Sequence, residues 1–133
     1  MRTTRLIAAS AQAAAALPPA PAITCDPFVI FFELGSAALS ASGEQTIENM
    51  VIAARATGPS QLRIEGHADS SGPRSYNLNL SRRRAEAVKT ALVAKGVAKD
   101  KIATRAHGES AALLGAPDGT PNPQWRLAAI CFY

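Results

Sequence analysis

Several features of membrane-spanning, nucleic-acid-binding and hydrolytic proteins are missing from this chain of 133 residues. No stretch approaches the roughly 20 apolar residues that a transmembrane helix requires. The formal net charge is only +4, and no aromatic side chains interleave the basic residues 82–84, so we do not expect nucleic-acid binding. No Ser-His-Asp, Cys-His or H-E-x-x-H spacing is present, so we predict no enzymatic activity, metal or cofactor.

The first 22 residues have the composition of a leader rather than of a folded domain. Arg2 and Arg5 precede a short alanine-rich apolar run, which is typical of a secretory signal, and a disordered tail is the alternative. The prolines at 18, 19 and 21 then prevent regular structure. We therefore predict a signal peptide or disordered leader over residues 1–22 and one domain over residues 23–133.

The two cysteines, Cys25 and Cys131, lie next to the first and last predicted strands. If those strands are antiparallel neighbours, the thiols meet, and export would place them in an oxidising compartment where a disulfide persists. The alternative is acylation of Cys25 as in a lipoprotein, although Thr24 occupies a position where such sites usually carry Gly, Ala or Ser. We favour the disulfide and leave lipidation open.

Hydrophobic patterns predict two strand–helix units followed by two strands. Strands are predicted over residues 27–34, 62–69, 102–107 and 125–133, and helices from an N-cap at Ser42 to about residue 57 and over residues 75–95. In the second strand, apolar and small residues occupy one face only, so helices are expected on a single face of the sheet. The predicted fold class is α+β with the order βαβαββ, a mixed four-stranded sheet with helices packed on one face.

One charged residue lies in the apolar stripe of the second predicted helix. Arg84 is four residues from both Leu80 and Val88, so the three share a face. A guanidinium on an inward face is costly unless it meets an acceptor, and the nearest candidate is Asp69, at the end of the preceding strand. Two interpretations stay open: a structural ion pair, or a receptor in which Asp69 binds an ammonium and Arg84 a carboxylate.

Two motifs around this pair resemble those of the C-terminal OmpA-like peptidoglycan-binding domain, found in proteins of the OmpA, Pal and MotB type. They read Gly66-His-Ala-Asp-Ser-Ser-Gly and Tyr76-Asn-Leu-Asn-Leu-Ser-Arg-Arg-Arg-Ala, and the similarity runs over about residues 28–132. In that family the aspartate of the first motif and the last arginine of the second hold the diaminopimelate of the peptidoglycan stem peptide. The resemblance implies these roles for Asp69 and Arg84.

Three further residues are candidates for contacts with the ligand. Ser71 belongs to the turn after Asp69, whose backbone amides would add hydrogen bonds. Asn77 has an amide to donate to a ligand carboxylate, and its alternative role is a local turn bond. Arg126 keeps the second arginine of the family's N-R-R-V motif, and its alternative role is that of an outer-face strand residue.

The resemblance implies a non-catalytic module that anchors to the cell wall through peptidoglycan. A mildly basic chain suits such an acidic polymer. The predicted location is the periplasm, with outer-membrane association and an envelope protein partner left open. Departures from the family pattern at Gly35, Gln124 and Trp125 motivate an alternative, a degenerate OmpA-like domain with a structural or protein-interaction role.

A metal-dependent hydrolase is the less favoured alternative. It would use a ligand set of two histidines and two carboxylates, each near the end of a predicted strand. These residues are His67, Asp69, His107 and Glu109. The set requires the two strands to be neighbours.

Overall fold

The computed structural model describes residues 25–109 and 123–133, so the predicted leader over residues 1–22 lies outside the described residues. The order of elements is the predicted βαβαββ. The elements are β1 (Phe28–Phe31), α1 (Ala41–Thr57), β2 (Leu62–Ala68), α2 (Arg74–Ala94), β3 (Ile102–Glu109) and β4 (Leu127–Phe132), with 3-10 turns at Lys99–Lys101 and Pro123–Trp125.

The four strands form one mixed sheet in the order β1-β4-β2-β3. The two inner strands are β4 and β2, which pair antiparallel, and β4 also pairs antiparallel with β1. The β2–β3 pair is parallel and is connected through α2, as expected for a β-α-β crossover. The α+β prediction and the mixed four-stranded sheet are therefore confirmed.

The core lies between the sheet and the two helices. Alternate residues of β2 point into it, because Leu62, Ile64 and Ala68 are buried, and Val88 and Leu92 of α2 pack against them. The helices thus cover one face of the sheet, as the one-sided pattern predicts. Among the described helices, none combines the length and the apolar character that crossing a membrane would require.

Helix α2 approaches β2 very closely at Gly66. A Cβ atom placed on Gly66 would lie 1.9 Å from the backbone carbonyl oxygen of Ser81, far inside van der Waals contact. Only a glycine fits at this position, which confirms that the small residue lets the helix approach. The contact fixes the position of α2 relative to β2 and to Asp69, which directly follows that strand.

The predicted N-cap of α1 was wrong by two residues. Ser40, not Ser42, is the N-cap, since its backbone is extended and its side-chain oxygen accepts a hydrogen bond from the Gly43 amide. Ser42 already lies inside the helix, where its carbonyl accepts the Thr46 hydroxyl. The predicted end is confirmed, because Gly58 adopts a left-handed conformation and its amide bonds to Ala54.

The bounds of all four strands differ from those predicted, by one residue in β2 and by more in the others. Strand β4 begins at Leu127 rather than Trp125, because Pro123–Trp125 form a 3-10 turn. Strand β1 ends at Phe31, and a turn closed by a bond from the Ser36 amide to the Glu33 carbonyl follows it. Strand β3 does not stop at Gly108 but continues to Glu109. Gly108 has φ of 66°, and an extra residue beside it shifts the β2–β3 register, which marks a β-bulge.

Cys25 and Cys131 form the predicted disulfide, with their Cα atoms 6.0 Å apart. Strands β1 and β4 are antiparallel neighbours, as this pairing required. Cys131 also lies opposite Arg63, near the beginning of β2. The disulfide therefore closes the end of the sheet that is remote from Asp69.

Candidate functional site

The buried polar side chains within residues 25–109 and 123–133 gather at the carboxyl end of β2. They are His67, Asp69, Ser70, Asn77, Ser81 and Arg84. Helix α2 begins shortly after β2, so its first turns lie at this end of the strand. Buried polar groups cost free energy unless they are paired, which makes this end the first place to look for a functional site.

The Arg84 side chain is fully buried and held by backbone carbonyls. Its Nε donates to Ser36 at 2.8 Å, Nη1 to His67 at 2.9 Å and Nη2 to Glu33 at 3.0 Å. A guanidinium has five N–H groups, so two of them have no acceptor within the described residues. Arg84 thereby ties the turn after β1 to the end of β2.

Burial lowers the pKa of Arg84 to about 10, and the nearby negative charge of Asp69 opposes this shift. At neutral pH the guanidinium therefore remains charged. Its hydrogen bonds within the described residues go to carbonyls rather than to the Asp69 carboxylate, so the two groups interact through space. The open interpretation of a direct Asp69–Arg84 ion pair is not what the structure shows.

Asp69 is instead paired with Arg126. The Arg126 Nε lies 3.0 Å from Asp69 Oδ2, and both side chains are nearly buried. The amide and hydroxyl of Ser71 donate to the other carboxylate oxygen, the hydroxyl at 2.6 Å. Arg126 precedes β4, so its alternative role as an outer-face strand residue was wrong. Three predicted site residues, Asp69, Ser71 and Arg126, are thus in direct contact.

A pocket of about 250 Å³ opens beside this cluster. Its walls are Leu34, Gly35, Asp69, Ser71, Gly72, Tyr76, Asn77 and Leu80. Three of the five predicted ligand contacts, Asp69, Ser71 and Asn77, therefore line one cavity. Arg84 and Arg126 do not line the pocket, but Arg126 is paired with Asp69 of its wall and Arg84 interacts electrostatically with the same carboxylate.

Asn77 makes the local turn bond that was its alternative role. Its side-chain nitrogen donates to the Gly72 carbonyl at 2.8 Å and to Glu109 Oε2 at 3.2 Å. These two bonds use both hydrogens of the amide. Asn77 thus braces the turn after β2 against the end of β3, and a ligand would have to compete for its donors.

Sequence reasoning missed some of the groups that build this site. The carbonyls of Glu33 and Ser36 leave no side-chain signature, so no pattern predicts them as partners of Arg84. Glu109 was assigned only to a metal set, yet it accepts from Asn77. Parallel strands end at the same edge of a sheet. Asp69 directly follows β2 and Glu109 is the last residue of β3, so their positions indicated that they lie close together.

The metal-ligand set named for a hydrolase is not assembled. His67 and His107 do stack, with ring centroids 4.7 Å apart. However, Asp69 is engaged with Arg126, Glu109 with Asn77, and the carboxylate beside the histidines is Glu65. Burial and, secondly, the charge of His107 lower the pKa of His67 to about 4, so His67 is neutral at neutral pH.

Comparison with known proteins places the chain in a family. The model of the OmpA family matches residues 31–123, more than half of the chain. The chain belongs to the OmpA family. The resemblance predicted from the two motifs around Asp69 and Arg84 is thereby confirmed.

Individual members of the OmpA family support this placement. A peptidoglycan-associated lipoprotein of Brucella melitensis is 37% identical over 79 residues, which are 59% of this chain and 47% of the relative. The chain thus spans about half the length of the curated relatives it matches.

Two solved structures share the fold at lower identity. The peptidoglycan-associated lipoprotein of Burkholderia pseudomallei is 23% identical with a TM-score of 0.67, over 79% of this chain and 89% of that chain. The C-terminal domain of Helicobacter pylori MotB is 21% identical with a TM-score of 0.66, over 81% and 84%. At these identities, the likeness establishes the fold.

Proposed function

We propose that this domain is a non-catalytic module that binds peptidoglycan through the diaminopimelate of the stem peptide. The observation that carries the proposal is the pocket lined by Asp69, together with the buried and charged Arg84, which interacts electrostatically with that carboxylate. A site with both signs of charge suits a ligand centre that carries an ammonium and a carboxylate. The names of relatives such as the peptidoglycan-associated lipoprotein of Brucella melitensis agree with this ligand class.

In the proposed mechanism, Asp69 receives the ligand ammonium. Arg126 and Ser71 hold the Asp69 carboxylate at the pocket wall, so it is oriented before the ligand arrives. Such preorganisation reduces the entropic cost of binding. The turn amides near Ser71 would add hydrogen bonds to neighbouring polar groups of the stem peptide, and Asn77 would join them by exchanging its bond to Gly72 or Glu109.

Arg84 provides the positive charge for the ligand carboxylate. Its charge acts on the pocket through a protein interior of low dielectric, where the interaction is stronger than in water. Direct contact requires an outward movement of the turn after β1, because the carbonyls of Glu33 and Ser36 now hold the guanidinium. The two N–H groups without an acceptor in the described residues would then meet the carboxylate.

This function would place the domain in the periplasm. The disulfide between Cys25 and Cys131 suits that oxidising compartment, and the OmpA family includes relatives named as outer membrane proteins. Association with the outer membrane or with an envelope protein is part of the proposal. The proposal includes no enzymatic role.

Titration with a diaminopimelate-containing muropeptide and sedimentation with isolated sacculi test the assignment. Asp69→Asn removes the charge with little change in shape, and we expect at least a tenfold loss of affinity. Arg84→Ala should abolish binding, and Arg83→Ala is its matched control, because this neighbouring arginine is exposed. Circular dichroism spectra report whether each variant is folded.

Two outcomes would reject the proposed site. Unchanged affinity in folded Asp69→Asn excludes the ammonium role, even if Arg84→Ala does not fold. No muropeptide binding by the unmodified chain would favour the alternative, a degenerate OmpA-like domain with a structural or protein-interaction role. The departures at Gly35, Gln124 and Trp125 would then explain the loss.

A further inference from the structure

Two histidines and one carboxylate lie together outside the pocket. Glu65 and His67 alternate along β2 and point away from the helices, and His107 of β3 lies beside them. Each side chain offers one ligand atom, and these atoms all lie within 4.8 Å of one another. These three residues, here called the histidine cluster, are all buried or half-buried.

The cluster has the donor set of a transition-metal site. Two imidazoles and one carboxylate suit Zn²⁺ and its first-row neighbours, whereas Mg²⁺ and Ca²⁺ prefer oxygen ligands alone. Two of the three side chains are already in contact, because His107 Nε2 lies 2.8 Å from Glu65 Oε1. No free cysteine is present among the described residues to compete for the metal.

We propose that Glu65, His67 and His107 bind one Zn²⁺ ion that crosslinks β2 to β3. Three protein ligands and one water would complete a tetrahedral shell. Zn²⁺ binding at these residues does not require peptidoglycan, and no reaction is assigned to the site.

Zn²⁺ binding requires the three side chains to draw together. In a tetrahedral shell with bonds of about 2.1 Å, two ligand atoms lie about 3.4 Å apart, whereas the ligand atoms of the cluster are now separated by up to 4.8 Å. The two rings are nearly parallel, with 13° between their planes, so one ring must rotate before the nitrogen lone pairs of both rings point at the same ion. Trp125 packs on His67 with a centroid distance of 5.8 Å and shields this side of the site.

A metal here would act on the strand that carries Asp69. His67 is only two residues before Asp69, and its carbonyl accepts a bond from Arg84. The β-bulge beside Gly108 lies directly after His107, where the ladder between β2 and β3 is interrupted. The ion would therefore tie the two strands together at their least regular point.

Calorimetric titration of the full chain, expressed without a polyhistidine tag, with ZnCl₂ tests this proposal. We expect one ion per chain and a higher unfolding temperature with Zn²⁺, because a ligand of the native state stabilises it. Mg²⁺ should have no effect. The chain contains only two histidines, so the NMR signals of both rings should shift on Zn²⁺ addition.

Variants decide whether these three residues are the ligands. Glu65→Gln and His107→Ala should each weaken Zn²⁺ binding at least tenfold, whereas Glu86→Gln, which removes an exposed carboxylate of α2, should not change it. Unchanged affinity in Glu65→Gln, no Zn²⁺ binding, or a shift of only one histidine ring would overturn the proposal. The NMR result stands even if His107→Ala does not fold.

Discussion

The two ends of the β-sheet differ in the polarity of their buried residues. At the amino end of β2, Leu62 pairs with Ile102 in an apolar core, and the disulfide closes the structure nearby. At the carboxyl end, about 20 Å away along the strand, the buried groups are Asp69, Asn77 and Arg84. Both ends are buried, yet only one of them is polar.

This contrast shows where stability and where binding reside. Burying apolar groups is favourable in itself, while burying a charge is costly unless each donor and acceptor is paired. The carboxyl end carries that cost through Arg84 and Asp69, and the apolar end and the disulfide offset it. We therefore expect changes at the amino end to affect unfolding alone, and changes at the carboxyl end to affect ligand binding as well.

Removal of the disulfide should have the largest effect on stability. The cysteines are 106 residues apart in sequence, and opening a loop of this length costs about 4–5 kcal/mol in the chain-entropy model. The Cys25→Ser/Cys131→Ser variant should show this loss in urea unfolding. Muropeptide affinity measured under conditions where it is folded should be unchanged, and a large change would break the division between the two ends.

Gly66 lies in β2 between the two ends of the sheet, and Gly66→Ala should lower the stability more than any other single substitution proposed in this Discussion. The new methyl group would lie 1.9 Å from the Ser81 carbonyl oxygen, so α2 must move away from β2, at a cost of about 3 kcal/mol or more. Thermal unfolding measures it. In the matched control Gly43→Ala, the added methyl meets a side-chain methyl of Ile30 at 3.2 Å, which a shift of a few tenths of an ångström relieves, so we expect a change within about 1 kcal/mol. Equal effects would refute the close approach.

Asn77→Ala sharpens the comparison at the polar end. It removes the bonds to Gly72 and Glu109, and the free energy of unfolding should fall by about 1–2 kcal/mol. Because these bonds brace the pocket, muropeptide affinity should fall too. Asn79→Ala, an exposed position of the same helix, is the control, and identical results for both variants would contradict the bracing role.

Ser40 belongs to neither end of the sheet, and Ser40→Ala should have the smallest effect on the free energy of unfolding. Loss of the bond from the Gly43 amide to Ser40 should lower the free energy of unfolding by about 1 kcal/mol. Ser42→Ala should change it by less than about 0.5 kcal/mol. Chemical denaturation separates the two, and the reverse order would restore the N-cap that the sequence pattern suggested.

Much of the architecture could be predicted because periodicity reports burial directly. The one-sided alternation in β2 and the apolar stripe around Arg84 led to the sheet, the helices and the inward guanidinium. The N-cap failed because Ser40 and Ser42 offer the same hydroxyl, and only backbone geometry distinguishes them. Strand β1 was predicted too long because Leu34 is apolar, although 60% of it is exposed.

The residues of the candidate site could be predicted from the sequence, but their hydrogen-bond and ion-pair partners could not. Asp69, Ser71, Asn77, Arg84 and Arg126 all lie at one end of the sheet, as their motifs indicated. Which side chain pairs with which depends on distances of a few ångströms between segments remote in sequence. Arg126 binds Asp69, which is 57 residues away in sequence. Arg84 donates to carbonyls of a turn about 50 residues earlier. No local sequence pattern predicts either set of partners.

The position of the disulfide also defines how the domain would carry a mechanical load. Tension applied through the segment before Cys25 would pass across the sulfur bridge to Cys131 and then run along β4. Strand β1 lies inside the covalent loop and would be spared from being peeled away first. The load would leave β4 at Arg126, just before that strand, and pass through its guanidinium to Asp69 after β2, so a load on the proposed pocket would reach the disulfide through one ion pair and one strand.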